Sequence, residues 1–279
     1  MKSTLLIISF ILFSVFIHAQ ELYPYAEPAS NMPAKSLSVK LGAMYGRGVH
    51  SNRVLQRYSP EVMLGISKKF MVHANLSFSD MHENYFYYES ARLYAKYRFL
   101  SWDDVHQHFR MAAFVAGTYS RNHLDHNEIN LMGSDQSGIQ AGIIATQLWH
   151  KFAISGTASI SEVLDEQRWL KIYPQSHCFE SFNYTLSAGY LVLPVNYTSY
   201  KQTNLNIYAE LIGGRNINWA AEKYFVDLAP SVQLIFNSTS KLNIGYRFQL
   251  NSDIYRLMKK SFMISYEQIF LNALRKKKK

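Results

Sequence analysis

Twelve segments of this chain alternate apolar and polar residues at every second position, and this pattern restricts the possible folds more than any other feature. In the segment 87–99, for example, Leu93, Ala95 and Tyr97 alternate with more polar residues. Successive side chains of a β-strand point to opposite faces, so a period of two predicts strands. The predicted strands cover residues 36–46, 56–67, 70–79, 87–99, 108–120, 138–148, 152–162, 181–192, 203–212, 225–236, 241–250 and 261–270.

The length of these segments favours a membrane-spanning barrel. Each has roughly 9–13 residues, about the length of a tilted transmembrane strand, whereas strands of soluble sheets average about 5–6 residues. A closed barrel with lipid outside and a wet interior suits strands with one apolar and one polar face, and it leaves no backbone group unpaired in the hydrocarbon. The sequence therefore predicts an all-β fold, a closed antiparallel transmembrane β-barrel of about 12 strands. Two long links, Leu100–Gln107 and Leu193–Gln202, leave 10 to 14 strands open.

The first residues have the pattern of a secretory leader. A positive start at Lys2 precedes the uncharged, largely apolar stretch 4–17, and the small residue Ala19 suits a signal-peptidase site. An uncleaved N-terminal anchor is the alternative. The predicted organisation is a signal peptide at 1–19, an N-terminal periplasmic segment at 20–35, the transmembrane β-barrel at 36–270 and a basic C-terminal tail at 271–279.

The net charge of +9 is concentrated at the two ends of the chain. Five of the positive charges lie in the tail, from Arg275 to Lys279, and a sixth is Lys2, which leaves +3 for the rest. This distribution disfavours a nucleic-acid partner. The single cysteine, Cys178, excludes an intrachain disulfide framework and a multi-cysteine zinc site.

The leader, the amphipathic strands and the last strand resemble those of Gram-negative outer-membrane β-barrel proteins. The last strand of that family carries apolar residues at alternate positions and ends in an aromatic residue. Phe262, Ile264, Tyr266 and Phe270 match this pattern, while Gln268 and the nine residues after Phe270 depart from it. The chain is more narrowly similar to small envelope barrels of Bacteroidota-type bacteria. The resemblance implies a place in the bacterial outer membrane, with outer-membrane lipid and the barrel-assembly machinery as partners.

Inward and outward positions alternate along each predicted strand, and this parity predicts which charged side chains face the interior. They are Lys40, Glu61, His73, Arg92, Lys96, Arg98, Arg110, Glu210, Asp227, Arg247 and Glu267. Buried charges persist only when they are paired or hydrated. We expect Asp227 and Arg247, with Glu210, to form a salt network near the outer mouth. Near the periplasmic mouth, Lys96, Arg98 and Arg110 predict a basic rim. Like charges side by side need water, Asp103 and Asp104, or an anionic solute between them, and we expect the rim to favour a small anionic solute.

Catalytic and metal-binding patterns are weak. An outer-membrane phospholipase of similar size uses a His-x-Ser pair, and no histidine here has serine two residues later. His73 with Asn75 comes nearest but lacks the nucleophile. Two loop groups contain metal-ligand residue types, His123, Asp125, His126 and Glu128 in one and Asp103, Asp104, His106 and His108 in the other. Their spacing dictates no complete ligand set, so hydrated loops are favoured over metal sites, and no cofactor is predicted.

Two functions from different classes follow from this sequence. The first is a narrow channel, or a transport or binding barrel for small solutes, with a polar lumen. The alternative is a non-conducting structural, adhesion or partner-binding envelope barrel. An outer-membrane lipid hydrolase and a soluble secreted β-protein fit the sequence less well.

Overall fold

In a computed structural model, the chain forms twelve antiparallel strands that close into a barrel, with β1 paired to β12. The structure describes residues 23–49, 51, 53–105, 107–122, 128–164, 178–196, 199, 201–217, 221 and 223–275. The strands are β1 (Ser36–Gly48), β2 (Val54–Gly65), β3 (Phe70–Ser79), β4 (Tyr87–Asp103), β5 (Gln107–Ser120), β6 (Gly138–Trp149), β7 (Phe152–Val163), β8 (Glu180–Leu193), β9 (Asn204–Asn216), β10 (Tyr224–Phe236), β11 (Ser240–Ser252) and β12 (Met258–Phe270). The predicted fold class is confirmed.

One predicted long link is part of a strand. Strand β4 continues to Asp103, beyond the predicted end at residue 99, and pairs with β5 through a register shift between Arg98 and Leu100. The connection that remains is only 104–106. The other long link, 194–203, is confirmed as longer than a tight turn.

The connections differ at the two ends of the barrel. Four of the five connections on the side of β1's first residue are short, at 66–69, 104–106, 150–151 and 237–239. The opposite side carries longer loops, including 121–137 and 164–179. Outer-membrane barrels have short periplasmic turns and longer extracellular loops, so the first end is the periplasmic or inner end, and the second is the outer end.

The outward face of the strands is apolar. Leu93, Val115 and Ile160 are each more than half exposed on this face. Aromatic pairs flank the aliphatic band, with Tyr45–Tyr58 towards the outer end and Trp149–Phe152 at the periplasmic end. Aromatic girdles on both sides of an apolar band are typical of barrels embedded in lipid. Among the residues that the structure describes, no helix is long and apolar enough to cross a membrane.

The segment before β1 lies inside the barrel. Residues 23–33, called the inner plug below, are mostly buried and contact inward-facing side chains of several strands. Residues 23–33 of the predicted N-terminal periplasmic segment 20–35 therefore fill part of the lumen. The predicted signal peptide at 1–19 and residues 276–279 of the predicted tail lie outside the described residues.

Candidate functional site: the barrel lumen

Strand β9 holds the inner plug through one carboxylate. Glu210, fully buried, accepts hydrogen bonds from the backbone amides of Tyr25 (3.0 Å) and Ala26 (2.8 Å). The hydroxyl of Ser187 on β8 donates a third bond, at 3.1 Å. Three hydrogen-bond donors therefore satisfy the buried carboxyl group, two of them from the plug backbone, so Glu210 is an anchor for the plug.

Strand β4 holds the next residues of the plug. The ammonium group of Lys96 donates to the Glu27 carboxylate (3.0 Å) and to the carbonyl oxygens of Pro28 (2.8 Å) and Ser30 (2.9 Å). These three acceptors use all three donors of a lysine. Strands β4 and β9 are five positions apart in the ring of twelve. Because the neighbouring residues Ala26 and Glu27 bind these distant strands, the plug crosses the lumen.

The remainder of the plug packs against the barrel wall. The amide of Ala29 donates to Thr146 Oγ1 at 2.9 Å, and Ala29 shares a buried cluster with Ala112 and Ile144. Met32 packs with Met63 and Met71 of β2 and β3. The plug is therefore held by both polar and apolar contacts.

Two tyrosines at the start of the plug lie deep in the lumen. Tyr23 packs edge-on against Tyr208 of β9, with ring centroids 5.5 Å apart. Tyr25 lies against Gly245 of β11, where an added Cβ would come within 2.7 Å of the ring. Burial raises the pKa of both hydroxyls above the usual range, so these side chains stay uncharged.

Three more of the predicted interior charges lie next to the plug. Glu61 of β2 contacts His73 Nδ1, and Lys40 Nζ lies 3.7 Å from Glu61. His73 Nε2 is in turn 3.7 Å from the Glu27 carboxylate of the plug. At the seam of the barrel, Glu267 pairs with Lys241 at 3.2 Å, and Ser38 donates to it at 2.6 Å.

The predicted basic rim is mostly neutralised, in part by Asp103, one of the counter-charges that the sequence left open. Arg110 binds Asp103 through Nε (3.1 Å) and Nη2 (2.7 Å), and it also donates to Ser30 of the plug at 3.0 Å. Lys96 is occupied by the plug. Arg98 is the member of the predicted rim with no carboxylate within 4.0 Å among the described residues. The inward positions of these residues follow from parity. The counter-charge of Arg110 comes from Asp103, which lies at the end of the extended strand β4.

Arg92 is the other predicted interior cation without a carboxylate at salt-bridge distance in the described part of the chain. Its guanidinium donates to Gln140 Oε1 at 3.0 Å and lies 5.4 Å from the centroid of the Tyr94 ring. Cation–π contact with an aromatic ring supplies part of the stabilisation that a carboxylate would otherwise give.

The predicted pair of Asp227 and Arg247 is present near the outer end. Arg247 Nε donates to Asp227 Oδ2 at 2.6 Å. Glu210 does not join them, because it binds the inner plug instead, and this part of the predicted network is wrong. Its place is taken by Arg256 of the β11–β12 loop, which donates to both oxygens of Asp227 at 2.6 and 2.9 Å.

Residues 128–137, called the outer loop below, precede β6 and are tied to two separate parts of the wall. Arg256 Nη2 donates to Glu128 at 2.7 Å. Arg57 of β2 binds Glu89 of β4 through two bonds of 2.8 Å, and it also bonds Asp135. The β5–β6 and β11–β12 connections lie on opposite sides of the ring of twelve strands. The outer loop therefore extends across the mouth of the lumen.

A cleft lies between the outer loop and the wall. Arg57, Arg247 and Arg256 line it together with Glu128 and Asp135. Burial lowers the pKa of Arg256, but the Glu128 and Asp227 carboxylates outweigh this effect and raise it above the usual range. The guanidinium is therefore always charged.

Sequence reasoning missed the residues that hold the plug and the outer loop in place. Glu27, Arg57, Glu89, Asp135 and Arg256 were not among the predicted interior charges. Arg57 has the inward parity of Glu61 on β2 and could have been found by extending it. Glu89 is out of phase with Arg92 and Lys96 on β4, because the pairing of β3 with β4 shifts register between Ser77 and Phe78, so parity does not predict its inward direction. The other three lie outside the strands, where parity gives no information.

One group of side chains has the composition of a metal site. A ligand atom from each of His82, Glu89 and Asp135 lies within 4.8 Å of the others. The guanidinium of Arg57 already bonds both carboxylates, so these residues form an ion-pair cluster that disfavours a further cation. Of the loop residues considered earlier as metal ligands, His106, His123, Asp125 and His126 lie outside the described residues.

Cys178 has a structural environment. It is buried in a cluster with Ile129, Leu131 and Val163, which packs the start of the outer loop against the end of β7. Burial raises the pKa of the thiol, so the thiolate needed for nucleophilic chemistry is disfavoured.

The architecture is similar to that of solved outer-membrane channels. An outer-membrane channel from Pseudomonas putida F1 aligns with a TM-score of 0.58 at 11% identity, covering 88% of this chain and all of that one. The fold is that of a bacterial outer-membrane barrel. The KdgM porin (TM-score 0.50, 7% identity, 84% of this chain and 99% of that one) and the NanC porin (0.50, 11%, 84% and 100%) share it. No protein-family model and no curated protein matches the chain.

Proposed function

We propose that this protein is an outer-membrane channel for small solutes whose lumen is closed in this conformation by the inner plug. The observation that carries the proposal is the plug itself. An eight-stranded barrel is about wide enough for its own side chains to fill, whereas this twelve-stranded barrel accommodates a separate chain segment between β9 and β4. The space that the segment occupies becomes a solute path when the segment leaves.

The chemistry of the inward face supports an aqueous path. Buried inward positions carry hydroxyl, amide and charged groups, among them Ser155, Ser159, Gln140, Asn243 and Gln233. Such side chains suit a path that is hydrated when the plug is absent, because unpaired polar groups are costly away from water. The similar architectures described as porins and as an outer-membrane channel agree with this function.

The direct test is conductance in planar bilayers. The native protein is compared with a variant in which residues 23–33 are replaced by a glycine–serine segment of equal length. We expect steady conductance from the variant and rare or brief events from the native protein. A matched control replaces the exposed residues 271–275 with the same kind of segment and should behave as the native protein.

A folded variant that stays closed would overturn the channel proposal. It would favour the alternative, a non-conducting structural, adhesion or partner-binding barrel, for which the many plug contacts are the supporting observation. Origin in Bacteroidota-type bacteria, assembly by the barrel-assembly machinery and specific lipid partners remain predictions from the sequence resemblance.

A further inference from the structure

We propose that the cleft at the outer end binds a small solute bearing oxyanion groups, such as a dicarboxylate, and that this binding releases the outer loop. The inference rests on the proposed function, because it assigns the solute's first binding site on a path through the barrel. It concerns Arg57 and Arg256, which hold the outer loop, and not the inner plug.

Each of the two arginines binds one carboxylate of the wall and one of the outer loop. Arg57 holds Glu89 of β4 and Asp135 of the loop, and Arg256 holds Asp227 of β10 and Glu128 of the loop. The wall carboxylates are fixed by the strands. The loop carboxylates occupy positions that carboxylate groups of a solute can take, because guanidinium groups bind any suitably placed carboxylate or phosphate.

When the outer loop moves away, the cleft carries more positive than negative charges. Three arginines of the wall and the β11–β12 loop, Arg57, Arg247 and Arg256, then pair with the carboxylates of Glu89 and Asp227 within the described part of the chain. Lys259 also lines the cleft. The imidazole of His82 lies 3.7 Å from Glu89. A solute with two anionic groups restores the balance that Glu128 and Asp135 provide.

A second observation points to a ligand at the same place. Arg256 is only 6% exposed. Its Nε atom is buried and has no hydrogen-bond partner among the described residues. A buried donor without an acceptor is destabilising. An oxyanion entering the cleft can accept from this donor as well as replace Glu128.

The test measures the outer loop and not conductance, so it is independent of the channel proposal. Succinate is titrated into the folded protein in detergent, and hydrogen exchange of the peptide covering 128–137 is followed by mass spectrometry. We expect saturable acceleration of exchange. Inorganic phosphate tests a second oxyanion, butanediol is the neutral control, and sodium chloride at equal ionic strength controls for screening.

Two variants and one control distinguish displacement of the loop carboxylates by succinate from binding of succinate elsewhere near the cleft. Glu128→Gln removes the internal competitor, so succinate should bind more tightly by about fivefold or more, as is typical of coupled sites. Arg256→Gln removes the site and should abolish saturable binding. Glu83→Gln, an exposed carboxylate of a neighbouring loop, should leave the affinity unchanged.

Equal acceleration by chloride and succinate would overturn the inference, since it would show screening and no binding site. Unchanged succinate affinity in Glu128→Gln would also overturn it. If the loop responds as expected while the barrel never conducts, the site stands and the channel proposal fails.

Discussion

The chain segments at the two ends of the lumen are held by different chemistry. At the inner end, Glu210 of the wall accepts backbone amides of the plug, and Lys96 of the wall donates to plug carbonyls. At the outer end, arginines bind loop carboxylates next to an open cleft. A dissolved anion can take the place of a carboxylate side chain, but no common solute supplies the run of backbone groups that the plug offers.

This difference assigns different roles to the two segments. The outer loop has contacts that a solute can replace, so it is suited to respond to the contents of the medium. The plug has buried, backbone-directed contacts and is suited to hold the lumen shut until it is displaced as a whole. The predictions below test the inner closure, with the outer loop as the internal reference.

The largest expected effect comes from Lys96→Met, which keeps the length of the side chain and removes its charge. Breaking a buried ion pair by removing one partner costs about 3–5 kcal/mol. We expect the plug to leave the lumen, with rapid hydrogen exchange across residues 23–33 and unchanged exchange at 128–137. Lys69→Met, at an exposed lysine of a periplasmic turn, is the control. Slow exchange of the plug in Lys96→Met would show that the plug does not depend on this ammonium group.

Glu210→Gln should have an intermediate effect. A hydrogen bond typically contributes about 0.5–1.5 kcal/mol, and a side-chain amide offers one acceptor oxygen where the carboxyl group offers two, one each to the Tyr25 and Ala26 amides. Exchange at these two amides should accelerate more than elsewhere in the plug. The matched control is Glu267→Gln, which alters a buried carboxylate that contacts Lys241 and Ser38. Equal acceleration of plug exchange in the two variants would indicate general loosening of the barrel and would count against a specific anchor.

Gly245→Ala should have the smallest effect. A Cβ at this position comes within 2.7 Å of the Tyr25 ring, and overpacking of this kind costs about 1 kcal/mol at the low end of its range. The plug amides should exchange modestly faster. Gly156→Ala is the control, because its nearest atom, the Thr185 carbonyl oxygen, is 4.0 Å away. No difference between the two alanine variants would place Tyr25 elsewhere in solution.

The sequence was sufficient to predict the barrel because alternation is a local property. A strand with one lipid-facing side repeats every two residues whatever lies across the lumen, so the strand number and the inward direction of Lys96, Glu210 and Asp227 follow from parity. The pair of Asp227 and Arg247 was also accessible, because neighbouring strands fix which residues face each other.

The partners of the other interior charges depend on segments without a period. Glu27 and Glu128 belong to the plug and the outer loop, whose paths are set by contacts with distant strands. Hence Glu210 was assigned to the wrong network, and the plug was not predicted as the partner of Lys96. A mostly buried inward lysine without a carboxylate on a neighbouring strand is the signal that a non-strand segment supplies its partner.

The central claim, that movement of the inner plug opens the lumen, is tested most directly by a reversible tether. Cysteines at Ala29 and Ala112, which share a buried cluster, are introduced into a Cys178→Ser background, and their disulfide is verified by mass spectrometry. Single-channel recordings are made on the oxidised protein and again after reduction. We predict a closed channel when oxidised and conducting events after reduction, whereas equal conductance in the two states would contradict the claim.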